Sequence, residues 1–166
     1  MSPSCFTFDA MKLTTFTDYS LRVLIYLATD TTRRATIAEI AASFDISENH
    51  LVKVVHFLGK QGWIETVRGR GGGVLLAMPV EKVNVGRVVR ATEGAALPAE
   101  CFSEDGGHCV ISGCCRLKGV LGEAVKAFYA VLDRYTLEDL SRNRQTLGKV
   151  LLFTRIDRHG QDKPAR

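Results

Sequence analysis

Positions 69, 71, 72 and 73 are glycine, four of five consecutive residues, and the run Arg68-Gly69-Arg70-Gly71-Gly72 separates two short apolar segments, Trp63 to Val67 and Gly73 to Ala77. Glycine reaches positive φ without steric cost, so such a run closes a β-hairpin and lets its tip approach another surface. Residues 1–10 have no clear periodicity, and the segments between Met11 and the hairpin have helical periodicity broken by a loop and a tight turn. The chain must therefore place one two-stranded element after a set of helices, which restricts it to a few architectures.

The preceding helices are readable from their caps and apolar spacing. Thr17 is the expected N-cap of a first helix, with Asp18 in its first turn and Leu21, Leu24, Ile25 and Ala28 on one face. Thr29 to Arg34 is a polar loop. A second helix is expected from Thr36 to Ser43, with Ile37, Ile40 and Ala41 inward. Phe44-Asp45-Ile46 makes a tight turn. Ser47 then caps a third helix, with Glu48 in its first turn and Leu51, Val54, Val55 and Leu58 on one face. Gly59 and Gly62 end it. Helix, tight turn, helix and two-stranded wing is the order of a winged helix-turn-helix.

Beyond Pro79, the spacing of Val83, Val85, Val88 and Val89 predicts a helix to about Thr92, stopped by Gly94. Residues 95–115 have little periodicity and hold four of the five cysteines. A compact domain rarely carries a loop of this length without a function. From Arg116 the residues Leu117, Leu121, Ala124, Phe128, Val131 and Tyr135 form a heptad-like seam suited to pairing with another helix. Thr136 with Asp139 resembles a capping box that restarts a short terminal helix. The expected fold is mainly α with a small β-hairpin wing and a long dimerisation helix. Its divisions are an N-terminal extension (1–10), a winged helix-turn-helix (11–80), a connecting helix (81–94), a cysteine loop (95–115), the dimerisation and short terminal helices (116–154), and a flexible tail (155–166). Met11 is the expected start of the regular chain.

The net charge is +4 and the sequence pI is near 8.9, a mildly basic balance compatible with nucleic acid. Glu48, Asn49, His50 and Lys53 lie at the start of the third helix, where side chains reach base edges in a major groove. Asn suits adenine, and Lys suits guanine or phosphate. Arg68 and Arg70 at the glycine tip suit a narrow minor groove, and Lys60 a phosphate. The same element order also serves protein–protein modules, in which these would be ordinary surface residues. As a nucleotide-binding loop the glycine run is weak, since no helix follows to cradle phosphate.

The longest apolar run, Val74 to Val80, is far too short to cross a membrane and contains Pro79. With no leader-like N-terminus, a cytosolic protein is expected. Clustered cysteines in a reducing compartment are more often metal ligands or redox centres than disulfides. Cys101, Cys109 and Cys115 have the spacing C-x7-C-x5-C. Thiolates favour iron–sulfur clusters, zinc or copper(I), and the wide spacing fits a structural zinc site poorly. A cluster-free redox pair, Cys114 and Cys115, is the other reading. Candidates for a fourth ligand are Cys114, His108, Glu104, Asp105, Cys5 and Asp18. Cys5 and Cys114 read as bystanders, and His108 as a surface residue. No nucleophile–base pair marks an enzyme.

Several motifs together resemble the family of nitric-oxide-sensing NsrR repressors, relatives of the iron–sulfur regulator IscR. They are Met11-Lys12-Leu13-Thr14-Thr15-Phe16-Thr17-Asp18-Tyr19-Ser20-Leu21-Arg22, the segment from Ile46 to Val55, the wing from Val67 to Gly73, Glu93-Gly94, and Cys115-Arg116-Leu117-Lys118. The resemblance covers about Met11 to Arg144. It implies a homodimeric DNA-binding repressor with nitric oxide as signal and double-stranded operator DNA as partner. It implies an iron–sulfur cluster on Cys101, Cys109 and Cys115, with Asp18 of the other subunit as fourth ligand to a 4Fe–4S form. A related regulator would sense cluster supply or redox state through a 2Fe–2S cluster or thiols. The extension before Met11 and the extra thiol Cys114 depart from the family pattern.

Overall fold

In a computed structural model of the chain, the described residues are 12–94, 102, 109–111 and 114–159, with the backbone alone for 152–159. Cys5, Met11, Cys101, Glu104, Asp105 and His108 lie outside them. The order is α1 (Thr15–Thr29), α2 (Ile37–Phe44), α3 (Glu48–Lys60), β1 (Ile64–Val67), β2 (Gly73–Leu76), a 3-10 turn (Val80–Lys82), α4 (Val85–Glu93), α5 (Arg116–Leu132), α6 (Leu137–Leu140) and α7 (Arg144–His159).

The first helix begins earlier than its sequence suggests. Thr14, not Thr17, is the N-cap, and its hydroxyl accepts from the Thr17 amide at 3.2 Å. Thr17 is fully buried and donates its hydroxyl to that of Thr92 on α4 at 2.8 Å. A cap must face water or the helix end, whereas this threonine joins two helices. Asp18 remains in the first turn.

Thr36 caps α2 in a capping box with Glu39: the Glu39 amide donates to the Thr36 hydroxyl, and the Thr36 amide to the Glu39 carboxylate. Asp45 ends α2 at φ 58°, the one non-glycine residue with positive φ among the described residues. A short polar side chain tolerates this geometry, which turns the chain from α2 into α3. Ser47 occupies the N-cap position of α3 without a side-chain capping bond.

The wing pairs β1 and β2 antiparallel, Ile64 opposite Leu76 and Val67 opposite Gly73. Ala35, just before α2, adds an isolated antiparallel bridge on the other side of β2 through reciprocal bonds with Val74 of 2.9 and 2.8 Å. Gly73 must be glycine, because its φ is +153° and a Cβ would stand 2.9 Å from the Ala35 carbonyl.

The core lies around α1, which packs on α2, α3, α4, α6, α7 and β2. Val23, Leu24, Ile40, Leu51, Leu58, Val83, Val88 and Leu137 fill it. The helix expected from Val83 starts at Val85, because Asn84 interrupts it as an N-cap. Its Oδ1 accepts from the Arg87 amide, and its amide group donates to the Asp133 carbonyl at 2.7 Å. Asn84 thereby joins the start of α4 to the end of α5.

None of the residues of α5 is buried, and Leu117, Val120 and Val131 are 58%, 61% and 45% exposed. The helix stops at Leu132, so Tyr135, expected on its seam, lies in the turn beyond. Two helices follow where one short one was expected. In α6, Asp139 accepts from the Thr136 amide and hydroxyl. α7 runs past Arg155 to His159, so part of the expected tail is helical.

Candidate DNA-reading face and cysteine site

The α2–α3 turn and the packing of Leu51, Val54, Val55 and Leu58 fix which face of α3 points outward. Glu48, Asn49, His50, Lys53 and Lys60 are all exposed, as are Arg68 and Arg70 on the wing. Gly69 and Gly71 have φ of +93° and +77°, and a Cβ at Gly72 would collide with the Val67 carbonyl. The tip is thus a backbone form that only glycine permits, with arginines on either side of Gly69. Arg34 joins this edge through a 3.4 Å bond to the Gly71 carbonyl, and nothing in its local sequence marked it.

Asp18 is half-exposed and lies on the wall of an open cleft of about 570 Å³ between α1 and the α2–α3 turn. Its carboxylate accepts from Arg22 at two points, 3.1 Å from Nε and 2.8 Å from Nη2. The Arg22 guanidinium carbon is 6.0 Å from the centre of the Tyr19 ring and 5.9 Å from that of Phe44. The Tyr19 ring is 6.3 Å from that of His50 on α3. A continuous set of contacts therefore leads from Asp18 to the exposed start of α3. Sequence reading passed over Arg22 and Tyr19, although the four-residue Asp18–Arg22 spacing is a helical ion-pair signal.

The same N-terminal end of α1 is also gripped by α4. The Thr14 amide and hydroxyl both donate to Glu93 Oε1, at 2.9 and 3.0 Å. Glu93 is the last residue of α4, two positions before the cysteine-bearing segment begins. Phe102, the residue after Cys101, has ring carbons 3.7 and 3.8 Å from where a Cβ on Gly122 of α5 would be.

Cys109 and Cys115 are free, half-buried thiols, and Cys114 is exposed, its thiol donating to the Ile111 carbonyl at 3.5 Å. Cys115 is the N-cap residue of α5, where unpaired helical amides favour negative charge. Two accessible thiols with such a neighbour suit a soft metal centre. Among the described residues, no three of His, Cys, Asp and Glu gather in one metal-holding group. Asp18 and the two thiols are thus not assembled within one chain.

The sequence profile of the Rrf2 family, described as iron-dependent transcriptional regulators, matches residues 13–143. The chain belongs to the Rrf2 family. It is 51% identical over 142 residues to the HTH-type transcriptional regulator NsrR of Bacillus subtilis, covering 85% of this chain and 97% of that protein. It is 49% identical over 142 residues to the NsrR of Bacillus licheniformis, covering 85% and 99%. Among solved structures, T. potens IscR superposes with a TM-score of 0.65 at 27% identity, over 81% of this chain and 88% of that one. CymR, the global cysteine regulator of B. subtilis, superposes with a TM-score of 0.62 at 30% identity, over 81% and 98%. As a member of the Rrf2 family the chain is a DNA-binding transcriptional regulator and not an enzyme, and its helices and hairpin match the winged-helix regulators IscR and CymR. Among the described residues no helix is long and apolar enough to cross a membrane.

Proposed function

We propose that the chain is a homodimeric repressor that senses nitric oxide through an iron–sulfur cluster held by Cys101, Cys109 and Cys115 together with Asp18 of the partner subunit. The observation that carries this reading is the winged helix-turn-helix joined, through α4, to free thiols at the start of a helix with no buried residue. The likeness to NsrR proteins supports it, as does the family's description as iron-dependent.

The residues account for each part. The exposed apolar positions of α5, Leu117, Val120 and Val131, are suited to cover one another across a two-fold axis. The cleft beside Asp18 is open to receive a segment of the second subunit. Three thiolates and one carboxylate make the four ligands of a 4Fe–4S site. When bound, the cluster supplies iron that takes up nitric oxide.

A carboxylate engaged across the dimer shares its lone pairs, so its two-point hold on Arg22 is weakened. The position of Arg22 against Tyr19 and Phe44 then depends on whether Asp18 is engaged. Tyr19 touches His50, so the start of α3 feels the same change. Two recognition helices must match half-sites about one turn, ~34 Å, apart. A small shift between them is enough to lower affinity, and a coupling of about 3 kcal/mol corresponds to roughly a hundredfold. Asn49, His50, Lys53 and the arginines of the wing read a two-fold, AT-rich operator.

The test is a gel-shift titration of anaerobically purified protein with nitric oxide, followed by absorbance. Loss of operator binding in step with bleaching of the visible band is the expected result. Operator binding that survives complete bleaching overturns the reading. A colourless, iron-free anaerobic preparation that binds operator and responds to oxidants instead would favour a thiol sensor.

A further inference from the structure

Val52 stands out on the DNA-reading face. It is 50% exposed, the one large apolar side chain so exposed among the described residues of 12–94. The others, Val110, Ile111, Leu117, Val120, Val131, Tyr135 and Val150, all lie beyond the wing domain. The inward face of α3 is already complete with Leu51, Val54, Val55 and Leu58. Val52 belongs instead to the exposed surface, three residues after Asn49, four before His56 and next to Lys53. On an α-helix those offsets put Asn49, Val52 and His56 on one face.

Nothing in folding favours valine there. A β-branched residue is a poorer helix former than lysine, glutamate or alanine, and its exposed methyls face water. The major groove, in contrast, presents one apolar feature, the C5-methyl group of thymine. A short, stiff, branched side chain beside an asparagine matches an A·T-rich half-site: amide for adenine, methyls for thymine.

We propose that Val52 is a specificity-determining residue of α3, packing its methyl groups on a thymine C5-methyl in each operator half-site, next to the base read by Asn49. The proposal rests on the DNA-reading role assigned to α3. It makes the contact apolar and short-ranged, so its contribution is independent of salt, unlike those of Lys53 or the arginines.

The experiment uses the full chain, purified anaerobically, and a duplex selected by it from a random pool. Each thymine of that duplex is replaced singly by deoxyuridine, which removes the methyl and leaves base pairing intact. The wild type is expected to weaken about three- to fivefold at one symmetric position per half-site, the effect of one buried methyl. Val52→Ala should bind the parent duplex more weakly by a similar factor and be indifferent to deoxyuridine at that position, the signature of a closed double-mutant cycle. Circular dichroism of Val52→Ala should match the wild type, since alanine on an exposed helix face does not disturb packing. Indifference of the wild type at every thymine overturns the proposal, as does retained sensitivity of Val52→Ala at the same position. Failure to select any duplex overturns the DNA-reading role of α3 itself, and so is distinguishable from failure of the Val52 contact alone.

Discussion

Asp18 and Arg22 form a two-point ion pair one turn apart on α1, and the same arginine lies against the rings of Tyr19 and Phe44. Both partners are more than 40% exposed, so the pair adds little to stability. Its importance is that it occupies the carboxylate assigned to a cluster of the partner subunit. That assignment is testable by complementation. Homodimers of Asp18→Ala and of Cys115→Ser should each retain less iron than wild type. Co-expressed as heterodimers, they rebuild one complete site per dimer and should recover about half of the wild-type iron and visible absorbance. Heterodimers no better than the parent variants would show that Asp18 serves its own subunit or none.

Gly86 of α4 lies directly beneath Asp133, where α5 ends. A Cβ there would collide with the Asp133 carboxylate and come within 3.0 Å of its backbone nitrogen. Asp133 makes a two-point bond to Arg90 with both distances 2.6 Å, and Arg90 lies 4.4 Å from the centre of the Tyr129 ring. Gly86 is in the first turn of α4, where alanine gains less over glycine than the roughly 0.5–1 kcal/mol of a helix interior, and overpacking costs about 1–3 kcal/mol. Gly86→Ala should therefore lower Tm and loosen α5, read by calorimetry and by weaker self-association in sedimentation.

Three carboxyls lie below their ordinary value near 3.8. Asp133 is lowered by the Arg90 guanidinium bonded to it. Asp139 is lowered by the Thr136 amide and hydroxyl, and Asp30 by the hydroxyl and amide of Thr32. Each folded value lies below the unfolded one. The stabilisation is therefore complete above about pH 4 and is lost as pH falls through the folded values. Tm should be flat from neutrality to about pH 5 and decline below pH 4. Asp133→Asn should lower Tm at pH 7, with the gap to wild type closing in acid and shrinking in high salt.

Asn49 and the wing arginines should differ in kind. Asn49→Ala should cost about 1–3 kcal/mol on the selected duplex and relax preference at one base. Arg68→Ala and Arg70→Ala should each reduce the slope of log affinity against log salt by about 1, if each neutralises one phosphate. Fluorescence anisotropy over a salt series separates the two patterns.

The sequence by itself determined the local elements. The helix expected from Thr36, the turn at Asp45, the glycines from 69 to 73 and the apolar spacing of α1, α3 and α5 each act over a few residues, so their signals survive without the fold. It also supplied the soft-ligand chemistry of Cys109 and Cys115 and the family motifs around them. What it misjudged depends on contacts distant in the chain. Thr17 has a cap's composition, but Thr92, 75 residues away, decides that it is buried between helices. Asn84 breaks the valine pattern because Asp133 holds it. Only tertiary structure shows that Arg22 and Tyr19 link Asp18 to His50, since a helix period says which residues share a face but not what that face meets. It also separates Val52 from the core valines beside it: hydrophobicity is a property of the side chain, whereas burial is set by the elements packed against it.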